Sequence, residues 1–283
     1  MAIVLDNITY TYGVGTPFEK TALHGVSLTV ENGEFLGIIG HTGSGKSTFV
    51  QHLNGLLHPT TGTVTVNGVD ISASTEEAKK MRHKVGMVFQ YPEHQLFEET
   101  IAEDIAFGPK NLGLSADEVD ERVREAMKFV GLDYNTYAER SPFHLSGGQM
   151  RRVAIAGVVA MDPDFLVLDE PSAGLDPFGR EEIFEEIIRL HKEKGITVIL
   201  VSHNMEDISR MASRLVVLDK GRIVLDGQPM DIFNHHRDAL QAVVPPVSVT
   251  MEYLREQGLD VSNRVLSVDD AVQAILEGGS HVK

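Results

Sequence analysis

The chain has 283 residues, 42% of them hydrophobic, with 41 acidic against 25 basic side chains and a formal net charge of −16. That suffices for one large domain plus a small appendage, and the missing basic footprint argues against a nucleic-acid partner. It has no cysteine, hence no disulfide framework or thiol chemistry, and no apolar run near the roughly 20 residues of a membrane helix.

Residues 1–34 alternate in the manner of strands, around Ile3-Val4-Leu5 and Ser27-Leu28-Thr29-Val30, with a glycine-containing loop between. Phe35-Leu36-Gly37-Ile38-Ile39 is a short apolar run, expected to be a buried strand. It leads into Gly40-His41-Thr42-Gly43-Ser44-Gly45-Lys46-Ser47, a complete phosphate-binding loop. Its glycines let the backbone curl until several N–H groups point at one anion. The Lys46 ammonium reaches the outer phosphates, and the Ser47 hydroxyl can ligate magnesium. Ser47, Thr48 and the residues after them open a helix, whose dipole adds to the anion site.

Gly62–Gly68 reads as a β-branched strand ending in an Asn-Gly turn, and Val85–Phe89 as an apolar run before Gln90. Residues about 98–160 read as helical, with Ser115-Ala116-Asp117-Glu118 as a cap and Val119, Val123, Met127 and Val130 at helical spacing. Leu145-Ser146-Gly147-Gly148-Gln149 starts another helix with free N–H groups. By itself it is also compatible with an ordinary serine-capped helix.

Phe165-Leu166-Val167-Leu168 predicts a buried parallel strand that ends in two adjacent carboxylates, Asp169 and Glu170, where open α/β sheets place ligands. Asp169 suits magnesium and Glu170 the polarisation of an attacking water. Thr197–Val201 predicts another strand, with His203 just beyond its end. After Asp226-Gly227-Gln228-Pro229 the pattern weakens. Pro245-Pro246 marks a linker, and Val249–Leu254 and Val268–Leu276 each resemble a short amphipathic helix.

Together the phosphate loop, the Leu-Ser-Gly-Gly-Gln signature and the Asp-Glu strand end resemble the ATP-binding cassette (ABC) family over residues 1 to about 230. The resemblance implies an α/β fold: a P-loop NTPase cassette with a RecA-like core, an N-terminal antiparallel β subdomain and a helical signature subdomain at about 98–160. Residues 231–283 would be a small helical extension, used for subunit pairing or only for packing. It also implies the site. Gln90 matches the Q-loop glutamine, His203 the switch histidine and Asp176 the D-loop aspartate. Tyr12 matches the aromatic that stacks on adenine, with Tyr10 as the alternative. Catalysis would rest on Glu170, His203 and Gln90, and magnesium on Ser47, Gln90 and Asp169. ATP would be held by Tyr12, by Gly40, His41, Thr42, Gly43, Ser44, Gly45, Lys46, Ser47 and Thr48, and by Ser146, Gly147, Gly148, Gln149 and Asp176. The resemblance implies that the signature lies too far from its own phosphate loop, so that two cassettes pair head to tail with each ATP between the loop of one and the signature of the other.

Three longer stretches are similar to the ATPases of energy-coupling factor (ECF) transporters, the CbiO-like group. They are Ile39–Ser47 running into Gln51–Leu57, Phe89–Thr100 with Asp104–Pro109, and Glu139–Phe143 before the signature. The insertion Thr16-Pro17-Phe18-Glu19-Lys20 and His41-Thr42 look most like the second of that complex's two sister ATPases. Ser172 stands where threonine is commoner, and Phe143-His144 where Phe-Glu is expected. The resemblance implies ATP hydrolysis coupled to uptake of a vitamin or transition-metal ion. The implied partners are a sister ATPase, a transmembrane scaffold subunit and a substrate-binding membrane subunit. The N-terminus Met1–Asp6 has no basic n-region, so the expected location is peripheral, on the cytoplasmic face of the cell membrane. In Glu93-His94-Gln95-Leu96-Phe97-Glu98-Glu99, two apolar side chains among three carboxylates predict a docking surface for a helix carrying arginines. A homodimeric ATPase of another ABC class is the alternative, followed by a non-transport ABC ATPase.

Overall fold

A computed structural model describes residues 1–235, 246–262, 265 and 268–279. β1 (Ala2–Tyr12) and β2 (Lys20–Glu31) form an antiparallel hairpin. β3 (Phe35–Ile39) leads to α1 (Lys46–Leu53). β4 (Thr61–Val66) and β5 (Val69–Asp70) then return to the hairpin, completing an antiparallel sheet in the order β2-β1-β4-β5. Asn67 and Gly68 turn between β4 and β5 with φ of 53° and 82°, the left-handed pair that a two-residue hairpin needs.

The chain continues through α2 (Glu76–His83), β6 (Val85–Val88) and a short 3-10 turn at Pro92–Gln95. A helical layer follows: α3 (Ile101–Asn111), α4 (Ala116–Phe129), α5 (Tyr134–Tyr137) and α6 (Gly147–Val159). Ser115 and Glu118 cap α4 reciprocally, and Val119, Val123, Met127 and Val130 are all buried on its inner face. Then come β7 (Phe165–Asp169), α7 (Pro177–Lys194), β8 (Thr197–Val201), α8 (Met205–Met211), β9 (Arg214–Asp219), β10 (Arg222–Gly227) and α9 (Pro229–His235).

The second sheet runs β10-β9-β3-β8-β7-β6, with β9, β3, β8, β7 and β6 parallel and β10 an antiparallel edge. β3, β6, β7 and β8 are buried along their whole length because both faces are covered, whereas edge strand β10 alternates between exposed and half-buried residues. Phe165, Val167, Ile199 and Val201 pack toward the antiparallel sheet and α1. Leu166, Leu168, Val198 and Leu200 pack toward the helical layer. Each fully buried side chain of this kind contributes about 1.5–3 kcal/mol. The helices Pro246–Glu256 and Val268–Gly279 share a separate small core of Met251, Val261, Val265 and Ala271. Pro245 of the sequence's linker mark lies outside the described residues. Among the described residues, no helix is long and apolar enough to cross a membrane.

Candidate functional site

All five parallel strands deliver chemistry at their C-terminal ends. β3 ends at the phosphate loop, β6 just before Gln90, and β7 at Asp169 and Glu170. β8 ends just before His203, and β9 at Asp219. The convergence makes a cleft of about 1270 Å³ lined by Tyr12, the loop residues Gly40–Gly43 and Gly45–Thr48, Gln90, Asp169, Glu170 and His203. Parallel sheets place ligands at this edge.

The phosphate loop is open by construction. Thr75, Thr100, Ser115, Ser146 and Asp176 cap α2, α3, α4, α6 and α7 through their side chains. α1 starts at Gly45 (φ 105°) without a side-chain cap. Its first-turn N–H groups and the positive end of its dipole are therefore available to an anion. Lys46 Nζ donates to the carbonyls of Gly40 (2.7 Å) and His41 (3.1 Å), across its own loop. Burial pulls the Lys46 ammonium below its ordinary pKa, opposed by Glu170 and Asp169. Gly40 is demanded by packing, since a Cβ there would lie 2.3 Å from the Leu218 carbonyl oxygen. The turn after β9 braces the loop: Gly221 N donates to Ser44 O, and His41 Nε2 lies 2.7 Å from Asp219 Oδ1.

Asp169 is almost wholly buried. Burial, then Glu170, raises its pKa against the opposing effects of a Ser47 hydrogen bond and Lys46. Glu170 sits at φ 52°, a conformation that costs a non-glycine residue about 1–3 kcal/mol and is common at functional sites. Its N–H donates to Val201 O at 3.0 Å, and its Oε2 lies 2.8 Å from His203 Nδ1. Ser47, Asp169 and the Gln90 amide offer oxygen donors in one cleft, the donor class that magnesium takes. Among the described residues no group of three or more His, Cys, Asp or Glu could hold a metal ion.

Of the two candidate aromatics, Tyr12 lines the cleft, its hydroxyl 3.0 Å from Thr48 Oγ1. Tyr10 packs edge-on against Tyr12 and His52 behind it. Ser44 is buried within the loop. Ser146, Gly147, Gly148, Gln149 and Asp176 are not brought to this cleft. The Ser146 hydroxyl accepts from Gln149 N while the Gln149 side chain accepts from Ser146 N, and Asp176 caps α7 by accepting from Gly179 N. Sequence reasoning missed Lys20, Thr21, Ala22 and His24 of β2, together with Lys220 and Gly221, which also line the cleft. No local pattern marks them, because only the packing of β2 on the β9–β10 turn brings them there.

The expected docking segment needs correction. Glu93 is taken by Arg151 of α6, and Leu96 is buried. What reaches solvent is His94, Gln95 and Phe97, the last edge-on to exposed Phe107 with ring centres 4.9 Å apart, with Glu99 exposed and Glu98 half-buried.

The comparisons agree with this geometry. The ABC transporter family model matches residues 23–173. The energy-coupling factor transporter ATP-binding protein EcfA2 of Clostridium tetani is 52% identical over 280 residues, covering 98% of this chain and 97% of that protein. EcfA2 of Clostridium acetobutylicum is 54% identical over 279 residues, with the same coverage. Among solved structures, cbiO1 of Clostridium perfringens, part of the ABC transporter complex cbiONQ, superposes with a TM-score of 0.74 at 35% identity, over 88% of this chain and 98% of that one. A dimeric ATP-binding cassette in a post-hydrolysis state, bound to ADP and Pi, superposes with a TM-score of 0.70 at 32% identity, over 80% of this chain and 98% of that one. The chain belongs to the ABC transporter family, in the branch of the energy-coupling factor transporter ATP-binding proteins, and is an ATP-hydrolysing cassette.

Proposed function

We propose that this chain is one of a pair of sister ATPases that drive an ECF importer from the cytoplasmic face of the membrane, taking up a vitamin or transition-metal ion. The observation that carries the proposal is the convergence of Lys46, Ser47, Gln90, Asp169, Glu170 and His203 on one cleft, with the signature outside it. Lys46 and the uncapped start of α1 hold the phosphates. Tyr12 receives the adenine. Ser47, Asp169 and Gln90 hold magnesium, which when bound neutralises phosphate charge. Glu170 accepts a proton from the water that attacks the γ-phosphorus, the bond to the β-phosphate oxygen breaks, and ADP leaves. His203 orients the Glu170 carboxylate through the 2.8 Å contact.

Because Ser146–Gln149 lie off the chain's own cleft, they serve a second cassette's nucleotide, and ATP joins two subunits. Hydrolysis separates them, and that motion is what a membrane partner receives. A self-dimer is chemically complete as well, since the chain holds both a phosphate loop and a signature. The resemblance of the Thr16–Lys20 insertion and His41-Thr42 to the second sister favours the heterodimer. The docking surface for the transmembrane scaffold is the Phe97–Phe107 pair with Glu98 and Glu99.

Glu170→Gln tests the core of the proposal. ATP affinity is expected to stay near wild type while turnover falls by about 10²–10⁴-fold, the range for a lost general base. The variant also accumulates an ATP-bound dimer. Unchanged turnover removes Glu170 from its role.

A further inference from the structure

Among the described residues Arg151 is the largest fully buried side chain, and its role is not explained by the nucleotide cleft, which it does not line. It lies on α6, two residues beyond the signature glutamine Gln149. Its guanidinium makes three hydrogen bonds in two directions. Nε and Nη2 grip Glu93 in a two-point fork, at 3.1 Å to Oε2 and 2.9 Å to Oε1. Nη1 donates to the Pro171 carbonyl oxygen at 2.9 Å. The planar fork of arginine allows this division; a lysine ammonium offers no such geometry.

The two anchored positions flank the catalytic groups. Glu93 is three residues after Gln90, and Pro171 directly follows Glu170. Between Gln90 and Glu93 the backbone passes through Tyr91 at φ 56°, and Glu170 itself stands at φ 52°. Neither left-handed residue is a glycine, so each conformation must be imposed by its surroundings. The same two segments touch again where the Tyr91 ring meets Gly174, at which a Cβ would stand 3.3 Å from Tyr91 Cε1. Burial alone would raise the Glu93 carboxyl, but the Arg151 hydrogen bonds, a backbone hydrogen bond and the Arg151 charge together hold its pKa below the ordinary value, so the pair stays ionised.

We infer that Arg151, with Glu93, is a positioning residue for hydrolysis. It fastens the helix that starts with the signature to the backbone beside Gln90 and beside Glu170, so that closure of the signature on a second subunit's nucleotide sets the hydrolytic groups of its own cleft. This deepens the proposed mechanism and rests on Glu170 being the base. A purely structural pair would affect folding and nothing else, because a buried charge left without its partner destabilises whatever its function.

The test uses the full chain in three variants, Arg151→Lys, Glu93→Gln and the double Glu93→Gln/Arg151→Met, with Glu170→Gln as reference. ATP affinity by equilibrium binding is expected within about twofold of wild type in all three, because no atom of the pair lines the cleft. Turnover per folded chain at saturating ATP is expected to fall about 10- to 100-fold, the cost of misplaced reacting groups. The double variant leaves no unpaired charge, so its unfolding temperature recovers toward wild type while its turnover stays low. Turnover that recovers along with unfolding temperature, or stays within about twofold of wild type in the single variants, overturns the inference. If Glu170→Gln also turns over normally, the base assignment fails instead, which separates the two failures.

Discussion

His203 Nδ1 lies 2.8 Å from Glu170 Oε2, so the ends of β8 and β7 meet through these two side chains. The Glu170 side chain is 13% exposed and the His203 side chain 78%, which makes the histidine the outer wall of a sheltered carboxylate. His203→Ala is therefore expected to leave ATP affinity nearly intact and to reduce single-turnover hydrolysis by about 10²-fold. His203→Gln, which keeps a donor near Glu170, recovers part of the loss. Equal rates in wild type and His203→Ala would remove the contact from the mechanism.

Lys46→Ala acts at an earlier step. Lys46 supplies to the outer phosphates a cation that is bonded to the Gly40 and His41 carbonyls. Equilibrium ATP affinity itself falls in this variant, with and without magnesium. Undiminished affinity means that nucleotide binds elsewhere.

The loop carries a pH signature at His41. Nδ1 lies 2.8 Å from the Thr42 carbonyl oxygen and Nε2 2.7 Å from Asp219 Oδ1, and only the imidazolium donates from both nitrogens. The Thr42 hydrogen bond first, then that to Asp219, raise the His41 pKa above its usual 6.5. A raised folded value means that the protonated ring stabilises the fold fully below about 6.5 and that this contribution disappears as pH rises through the folded value. Unfolding temperature measured against pH for wild type and His41→Asn should differ most on the acid side and converge at high pH. The effect is small, because the side chain is 54% exposed. Parallel profiles would contradict it.

Reversing charge at Glu98 and Glu99 tests the membrane docking surface. The double substitution Glu98→Arg/Glu99→Arg should release the chain from its membrane assembly in detergent while ATP affinity of the free chain is kept, since neither residue lines the cleft. Retained association would move the docking site elsewhere.

Asp169 gives the fifth expectation. Burial, then Glu170, holds its carboxyl above the ordinary range, so protons compete with magnesium longer than they would at an exposed aspartate. Magnesium-dependent ATP affinity should therefore rise as pH rises through the Asp169 value, and Asp169→Asn should flatten that rise. An identical pH profile in the variant would exclude Asp169 as the titrating group.

The sequence by itself determined the phosphate loop, the signature helix start, the Asp169-Glu170 strand end and the run of parallel strands. Each depends on contiguous residues: a glycine-rich turn before a helix, a serine cap, an apolar run closed by carboxylates. Backbone geometry and periodicity act over a few residues, so they are written locally. Only the tertiary structure decided that Tyr12 rather than Tyr10 reaches the cleft. It also decided that Glu93 faces inward to Arg151 rather than outward to a partner. Charged side chains in a helix or loop read as solvated because most are, and neither spacing nor composition records a pairing across 58 residues. Such a pairing exists only once α6 packs beneath the segment after β6, where a buried carboxylate must find a cation or lose its charge.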